Sequence, residues 1–214
     1  MKRSLGYFRS VVLLASTLAN NSGHTQNLVL NGDFESPGGP DHSFLTAGDT
    51  YITGWTVTAD WVSYWQFFGD ATGAGTHTVG LGYFRTPGGI EQSLATVPGQ
   101  SYSVSFYVAS TSGAELGASA LLRASAGDFS GVFTGPPDTQ PPPSNPGWQQ
   151  FGFQFRAQSP TSLLVFEPLF TPSNTAVPLL DSVEVVPVPE PSFLLLLGTV
   201  WPLARWFQRR AEKS

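Results

Sequence analysis

Tyr102-Ser103-Val104-Ser105-Phe106-Tyr107-Val108 decides the fold. Its large residues fall mostly at every second position, as do those of Phe151-Gly152-Phe153-Gln154-Phe155. A period of two is a strand with one face in the core and one in water. Working outward, short β-rich runs recur at 28–30, 50–57, 61–68, 76–83, 89–94, 118–124, 129–133, 162–167 and 179–186, with 102–109 and 149–157 around the two quoted stretches. Turn clusters such as Ser36-Pro37-Gly38-Gly39-Pro40, Pro87-Gly88-Gly89 and Pro98-Gly99 separate them. Strands at this spacing predict an all-β, antiparallel β-sandwich or jelly roll. The stretch 135–147 holds six prolines and reads as an extended surface loop.

The two ends differ from this body. Lys2, Arg3 and Arg9 precede a short apolar run at 11–19, with Thr17 and Ala19 spaced as a signal peptidase reads them. Residues 1–19 are therefore expected to be a cleaved signal peptide, with the cut a few residues later as the alternative. At the other end, Pro189 and Pro191 block any helix from running through them. Ser192 is placed to cap a hydrophobic helix over 192–207, and Arg209, Arg210 and Lys213 follow it. Sixteen residues span about 24 Å, short of the ~30 Å hydrocarbon core. The basic tail would stay on the cytoplasmic side.

Between these ends, 20–187 is one domain's length. It keeps only Arg85, Arg123 and Arg156 against 13 acidic residues, a net charge of about −10. Such a surface repels nucleic acid, which needs clustered Lys and Arg, and disfavours anionic polysaccharide. Neutral glycans, cations and proteins remain as partners. The chain has no cysteine, which removes thiol catalysis, thiolate metal sites and disulfides together.

Val188-Pro189-Glu190-Pro191, the apolar run and Arg209-Arg210 together resemble the PEP-CTERM sorting signal of exported bacterial proteins. That resemblance implies processing by an exosortase-type enzyme at Pro189-Glu190-Pro191 and transient inner-membrane contact through 188–214. It also implies localisation at the cell surface or in the extracellular matrix. The body resembles galactose-binding-domain-like jelly rolls, a group that includes carbohydrate-binding modules and choice-of-anchor domains. The resemblance rests on Asn27 to Glu35 as an opening strand, Ile52-Thr53-Gly54-Trp55, Ile90-Glu91-Gln92-Ser93-Leu94 with Pro98-Gly99-Gln100-Ser101-Tyr102, Gly147-Trp148-Gln149-Gln150-Phe151, and the closing Leu180-Asp181-Ser182-Val183. It implies a binding role, and function must still be argued from a site.

Two sites are expected. By the same resemblance, Glu35 and Asp181, with Asp33 as a further candidate, hold a structural calcium between the first and last strands. A hard cation taking several backbone carbonyls needs few carboxylates. The alternative is that these residues cap turns or bond backbone N–H groups. The second expectation is a sugar site on the aromatic run Trp55, Trp61, Tyr64, Trp65, Phe67, Phe68, Tyr83 and Phe84. As one strand, 61–68 puts Trp61, Ser63, Trp65 and Phe67 on one face and Val62, Tyr64, Gln66 and Phe68 on the other. Both faces carry aromatics and only one can be core, so Trp61, Tyr64, Trp65 and Tyr83 are the candidate ligand-binding residues. Ser63, Gln66, Asp70 and His77 are candidates to fix hydroxyls, and Trp55 is assigned to the core. The alternative is that the aromatics are ordinary core. No H-E-x-x-H or G-x-S-x-G pattern occurs, so the chain is not expected to be an enzyme. The expected function is non-catalytic: binding or organising neutral extracellular polysaccharide. The alternatives are a purely structural or protein–protein module of the matrix and, third, a glycan-active hydrolase.

Overall fold

The computed structural model describes residues 26–66, 71–73, 75–83, 86–111, 116–139, 146–171 and 173–189. The expected signal peptide, most of the sorting segment (Glu190, Pro191, Arg209 and Arg210 included), Phe67, Phe68, Asp70 and Phe84 lie outside the described residues.

Among the described residues, eleven strands form two antiparallel sheets. They are β1 (His42–Leu45), β2 (Thr56–Ala59), β3 (Val62–Trp65), β4 (Thr78–Leu81), β5 (Gly89–Ala95), β6 (Ser101–Thr111), β7 (Ser119–Ala126), β8 (Phe129–Pro137), β9 (Gln149–Arg156), β10 (Thr161–Pro168) and β11 (Val177–Pro187). One sheet runs β1-β3-β4-β11-β6-β9 and the other β2-β5-β10-β7-β8. Among the described residues there is no helix.

The quoted stretch behaves as its period demands. On β6, Tyr102, Val104, Phe106 and Val108 are buried between the sheets, while Ser103 and Ser105 face the other way. Phe106 is the hub: its ring centroid lies 5.1 Å from Phe133 and 5.1 Å from Phe166, edge-on to both, with Phe151 and Phe153 beyond. Burying one such side chain stabilises by about 1.5–3 kcal/mol. Edge-to-face pairs add about 0.5–1.5 kcal/mol each. Trp55 is buried as expected and donates from Nε1 to Asn31 O at 3.1 Å.

Several strand assignments differ, and β1 adds a strand that the sequence period does not mark. Residues 28–30 are not a strand; they form a strap tied at single points. Leu28 N donates to Val185 O, and the Gln92 amide bonds both the N–H and the C=O of Leu30. The run 50–57 contributes only its end to β2, because Ile52 and Trp55 turn into the core through a tight turn. β8 reaches Pro137, into the stretch expected as loop. Proline is tolerated there because β8 is an edge strand.

The chain enters the sandwich beside Val185 and leaves it at Val188, whose N–H bonds Ser101 O. Both passages are therefore at the Pro187 end of β11. The β3 start and the end of β4 lie at the Val177 end, since Leu179 pairs with Gly80 and Val62 with Leu81.

Candidate functional site

The stretch from Asn31 to Glu35 is built by constraint. Asn31 has φ 54° and uses its amide to bond Ser36 N, Ser36 O and Thr53 O. Gly32 lies flat against the β11 bulge: Val183 N donates to Gly32 O, and a Cβ at Gly32 would overlap Val183 O. Phe34 is fully buried against Trp55. Asp33 lines a cleft of about 400 Å³ beside the bulge, and its carboxylate accepts the Glu35 N–H at 3.5 Å.

Glu35 clamps the β3–β4 connection. Its Oε1 accepts the N–H of Thr76 and of His77, each at 2.7 Å. Its Oε2 faces Thr76 Oγ1 at 3.2 Å and His77 Nδ1 at 3.1 Å. Burial pushes the Glu35 carboxyl up, but the His77 N–H and ring, the Thr76 N–H and the charge on His77 together outweigh it and hold it below its ordinary 4.5. The His77 ring is held on both sides: Nδ1 faces Glu35 Oε2 and Thr76 Oγ1, and Nε2 lies 2.9 Å from Gln66 Nε2 and 3.2 Å from Gly39 O. Tyr64 stacks on that ring at 4.5 Å and donates to Phe34 O at 2.7 Å. Burial, followed by the charges of Glu35, Tyr51 and Asp33, pushes the Tyr64 phenol up to about 12 against the opposing Gly38 N–H bond.

Asp181 holds the same connection from its other end, accepting Ala71 N at 2.7 Å as well as Ser182 N at 2.6 Å. A carboxylate has about four acceptor positions, and two of those of Glu35 take backbone N–H groups, with Thr76 Oγ1 and His77 Nδ1 beside the other oxygen. Among the described residues no three His, Asp or Glu side chains come together as metal ligands. Glu35 and Asp181 both act here as acceptors for backbone N–H groups of this connection.

The expected sugar-site aromatics separate. Tyr64 is a correction: it is fully buried and faces the core with Val62. Trp65 is half-buried on the outer face, packed against Leu179 and Ala109 with Trp148 nearby, and donates to Ser43 Oγ at 3.2 Å. Ser63 is buried, and Gln66 and His77 belong to the Glu35 network. Trp61 and Tyr83 do come together. Their rings are parallel within 6°, with centroids 5.4 Å apart. Phe44 stands edge-on to both, at 4.6 and 5.6 Å. Tyr83 is 37% and Phe44 50% exposed.

Phe44 was not among the sequence candidates. It sits in the short, polar β1, where a lone Phe gives no period. Its backbone is left-handed: Phe44 has φ 70° and Trp61 φ 74°, a conformation the buried Phe34 shares at φ 56°. Left-handed φ is costly for bulky side chains. The conformation at 61 is pinned by Trp61 N to Leu45 O (3.0 Å) and Gly82 N to Trp61 O (2.9 Å). Tyr83 is fixed by reciprocal backbone bonds with Thr86, and Gly82 is packed under Phe170, 2.8 Å from where its Cβ would be. Two aromatics in a sparse backbone region thus share one exposed platform at the Val177 end of the sandwich.

No curated protein matches this sequence. Among solved structures, it is similar to an arabinose-bound MgGH51 α-L-arabinofuranosidase: TM-score 0.51, 12% identity, 78% of this chain and 28% of that one. It is also similar to TmCBM61 in complex with β-1,4-galactotriose, with TM-score 0.49, 15% identity, 76% of this chain and 99% of that one. A third is the CBM22-1 xylan-binding domain from Paenibacillus barcinonensis Xyn10C, with TM-score 0.41, 20% identity, 71% of this chain and 94% of that one. At these identities the likeness is one of fold. A family model covers residues 27–186, and the chain belongs to that family, described as "Protein of unknown function (DUF642)".

Proposed function

We propose that this chain is an exported, non-catalytic protein that binds neutral extracellular polysaccharide through the Phe44–Trp61–Tyr83 platform. The observation that carries this is the pair of left-handed aromatics, Phe44 and Trp61, held at the surface against their own backbone preference. Strain of that kind costs about 1–3 kcal/mol per residue and clusters at binding sites. The exposed ring faces of this cluster offer the apolar face of a pyranose ring a stacking partner. The acidic body favours uncharged glycans over anionic ones.

The test is a glycan panel titrated against the full chain, with β-1,4-galactotriose as a natural first probe. Trp61→Ala and Tyr83→Ala are each expected to weaken the best ligand tenfold or more, about 1.4 kcal/mol, with the fold retained by circular dichroism. Binding that survives both changes moves the site elsewhere; a panel without any ligand favours a purely structural module of the matrix.

Export is part of the same proposal. It rests on the basic-then-apolar start and on the PEP-CTERM-like end, with an exosortase-type enzyme and the inner membrane as passing partners. Sequencing both termini of the protein recovered from its host is the measurement. Intact termini in the cytosolic fraction would end this part.

A further inference from the structure

A cleft of about 230 Å³ opens beside the platform, on the outer face of the five-stranded sheet. Three chain segments join the two. Ala59 lines the cleft two residues before Trp61. Pro87 follows Thr86, the backbone partner of Tyr83. Leu169 precedes Phe170, which packs over Gly82. The floor is Gly89, where a Cβ would overlap Thr58 Oγ1 and crowd Phe166 O at 3.1 Å. Any other residue at 89 would fill the space.

The polar groups around this floor are Arg123, Glu167 and Thr58. Arg123 and Glu167 are register partners on β7 and β10. Their closest approach is 3.9 Å, an ion-pair distance too long for a hydrogen bond, and each side chain is 47% exposed. Arg156, by contrast, is bonded to Gly99 O. Thr58 Oγ1 is buried without a hydrogen-bond partner beside the Gly89 floor. A guanidinium offers up to five donors and a carboxylate about four acceptor positions. Side by side they match adjacent sugar hydroxyls, which both accept and donate, and their charges cancel.

We propose that this cleft is a second sugar subsite continuous with the platform, so that the ligand is a neutral oligosaccharide of two or more units. One unit stacks on Trp61 and Tyr83, and its neighbour's hydroxyls bond Arg123 and Glu167. This rests on the platform reading, and the experiment separates the two. The full chain is titrated with β-linked galactose, glucose, xylose and mannose oligosaccharides of one to four units, the single units as methyl glycosides. For the sugar that binds, the two-unit ligand is expected to bind at least tenfold tighter than the methyl glycoside. Arg123→Ala and Glu167→Gln should each remove that gain, leave methyl-glycoside binding unchanged and leave the melting temperature within about 2 °C. Trp61→Ala should weaken every length. A subsite is refuted if Arg123→Ala and Glu167→Gln bind two- and three-unit ligands like the unsubstituted chain while Trp61→Ala does not; the platform then stands alone. Loss of affinity for the methyl glycoside in Arg123→Ala would also refute it, by placing the arginine within the first unit's site. If no sugar of any length binds, both readings fall.

Discussion

Replacing Glu35 by alanine should destabilise the domain and alter its acid behaviour. The carboxylate accepts two backbone N–H groups at 2.7 Å, from Thr76 and His77, and faces two side-chain partners beyond 3 Å. Hydrogen bonds to a charged group contribute about 1.5–3 kcal/mol each. The Glu35 side chain is 31% exposed, so water replaces part of what is lost. A net cost of about 2–4 kcal/mol follows, with little from the longer contacts. For a domain of this size that lowers the melting temperature by roughly 5–15 °C. Glutamine keeps one acceptor oxygen, so Glu35→Gln should fall between alanine and the natural residue. The pH dependence has a definite sign. Glu35 titrates below 4.5 in the fold, so its contribution is complete above about pH 4.5 and fades as pH falls through the lowered value. Thermal melts by circular dichroism from pH 7 to pH 3 should show the gap between Glu35→Ala and the natural chain closing on the acid side. An alanine variant melting within 2 °C at pH 7, or a gap that stays constant to pH 3, would refute the clamp.

Other outcomes follow from the same geometry. Tyr64→Phe leaves the Phe34 carbonyl without its 2.7 Å donor and should cost about 1–3 kcal/mol, read by urea unfolding. Gly32→Ala forces the strap away from Val183 and should cost more than 2 kcal/mol by the same measurement; a neutral result would show that the bulge can move. Trp61→Gly releases about 1–2 kcal/mol of left-handed strain but loses two ring contacts and the partial burial of the indole. It should lower the melting temperature, though by less than the lost contacts alone would, as glycan binding disappears. Calcium at Glu35 and Asp181 has its own measurement: excess chelator should lower the melting temperature and added calcium restore it, and identical curves would remove the site.

The core strands were legible because burial on one face writes itself into every second residue, as β6 and β9 show. At β3 the alternation was readable but its direction was not. Aromatics occupy both faces, and what buries Tyr64 is His77, Phe34 and Tyr51, none adjacent in sequence. Trp65 on the opposite face meets Leu179 and Ala109 only after β11 and β6 have paired. β1 was missed because an edge strand of His-Ser-Phe-Leu carries almost no period. Residues 27–35 drew notice as a motif but were expected as a strand. Their role depends on single bonds to Val185, Gln92 and Val183, which no local pattern encodes. The strain at Phe44 and Trp61 is likewise a property of the assembled backbone.

The chain's two passages at the Pro187 end of β11 have a mechanical consequence. Force that enters the sandwich at Leu28 or leaves it at Val188 acts at one pole. The eleven residues of β11 then act as a mast of about 35 Å, with Phe44, Trp61 and Tyr83 at its head. Pulling on a captured polymer would load the antiparallel strands along their length, in shear across many hydrogen bonds at once. A domain loaded that way resists force far better than one peeled open strand by strand.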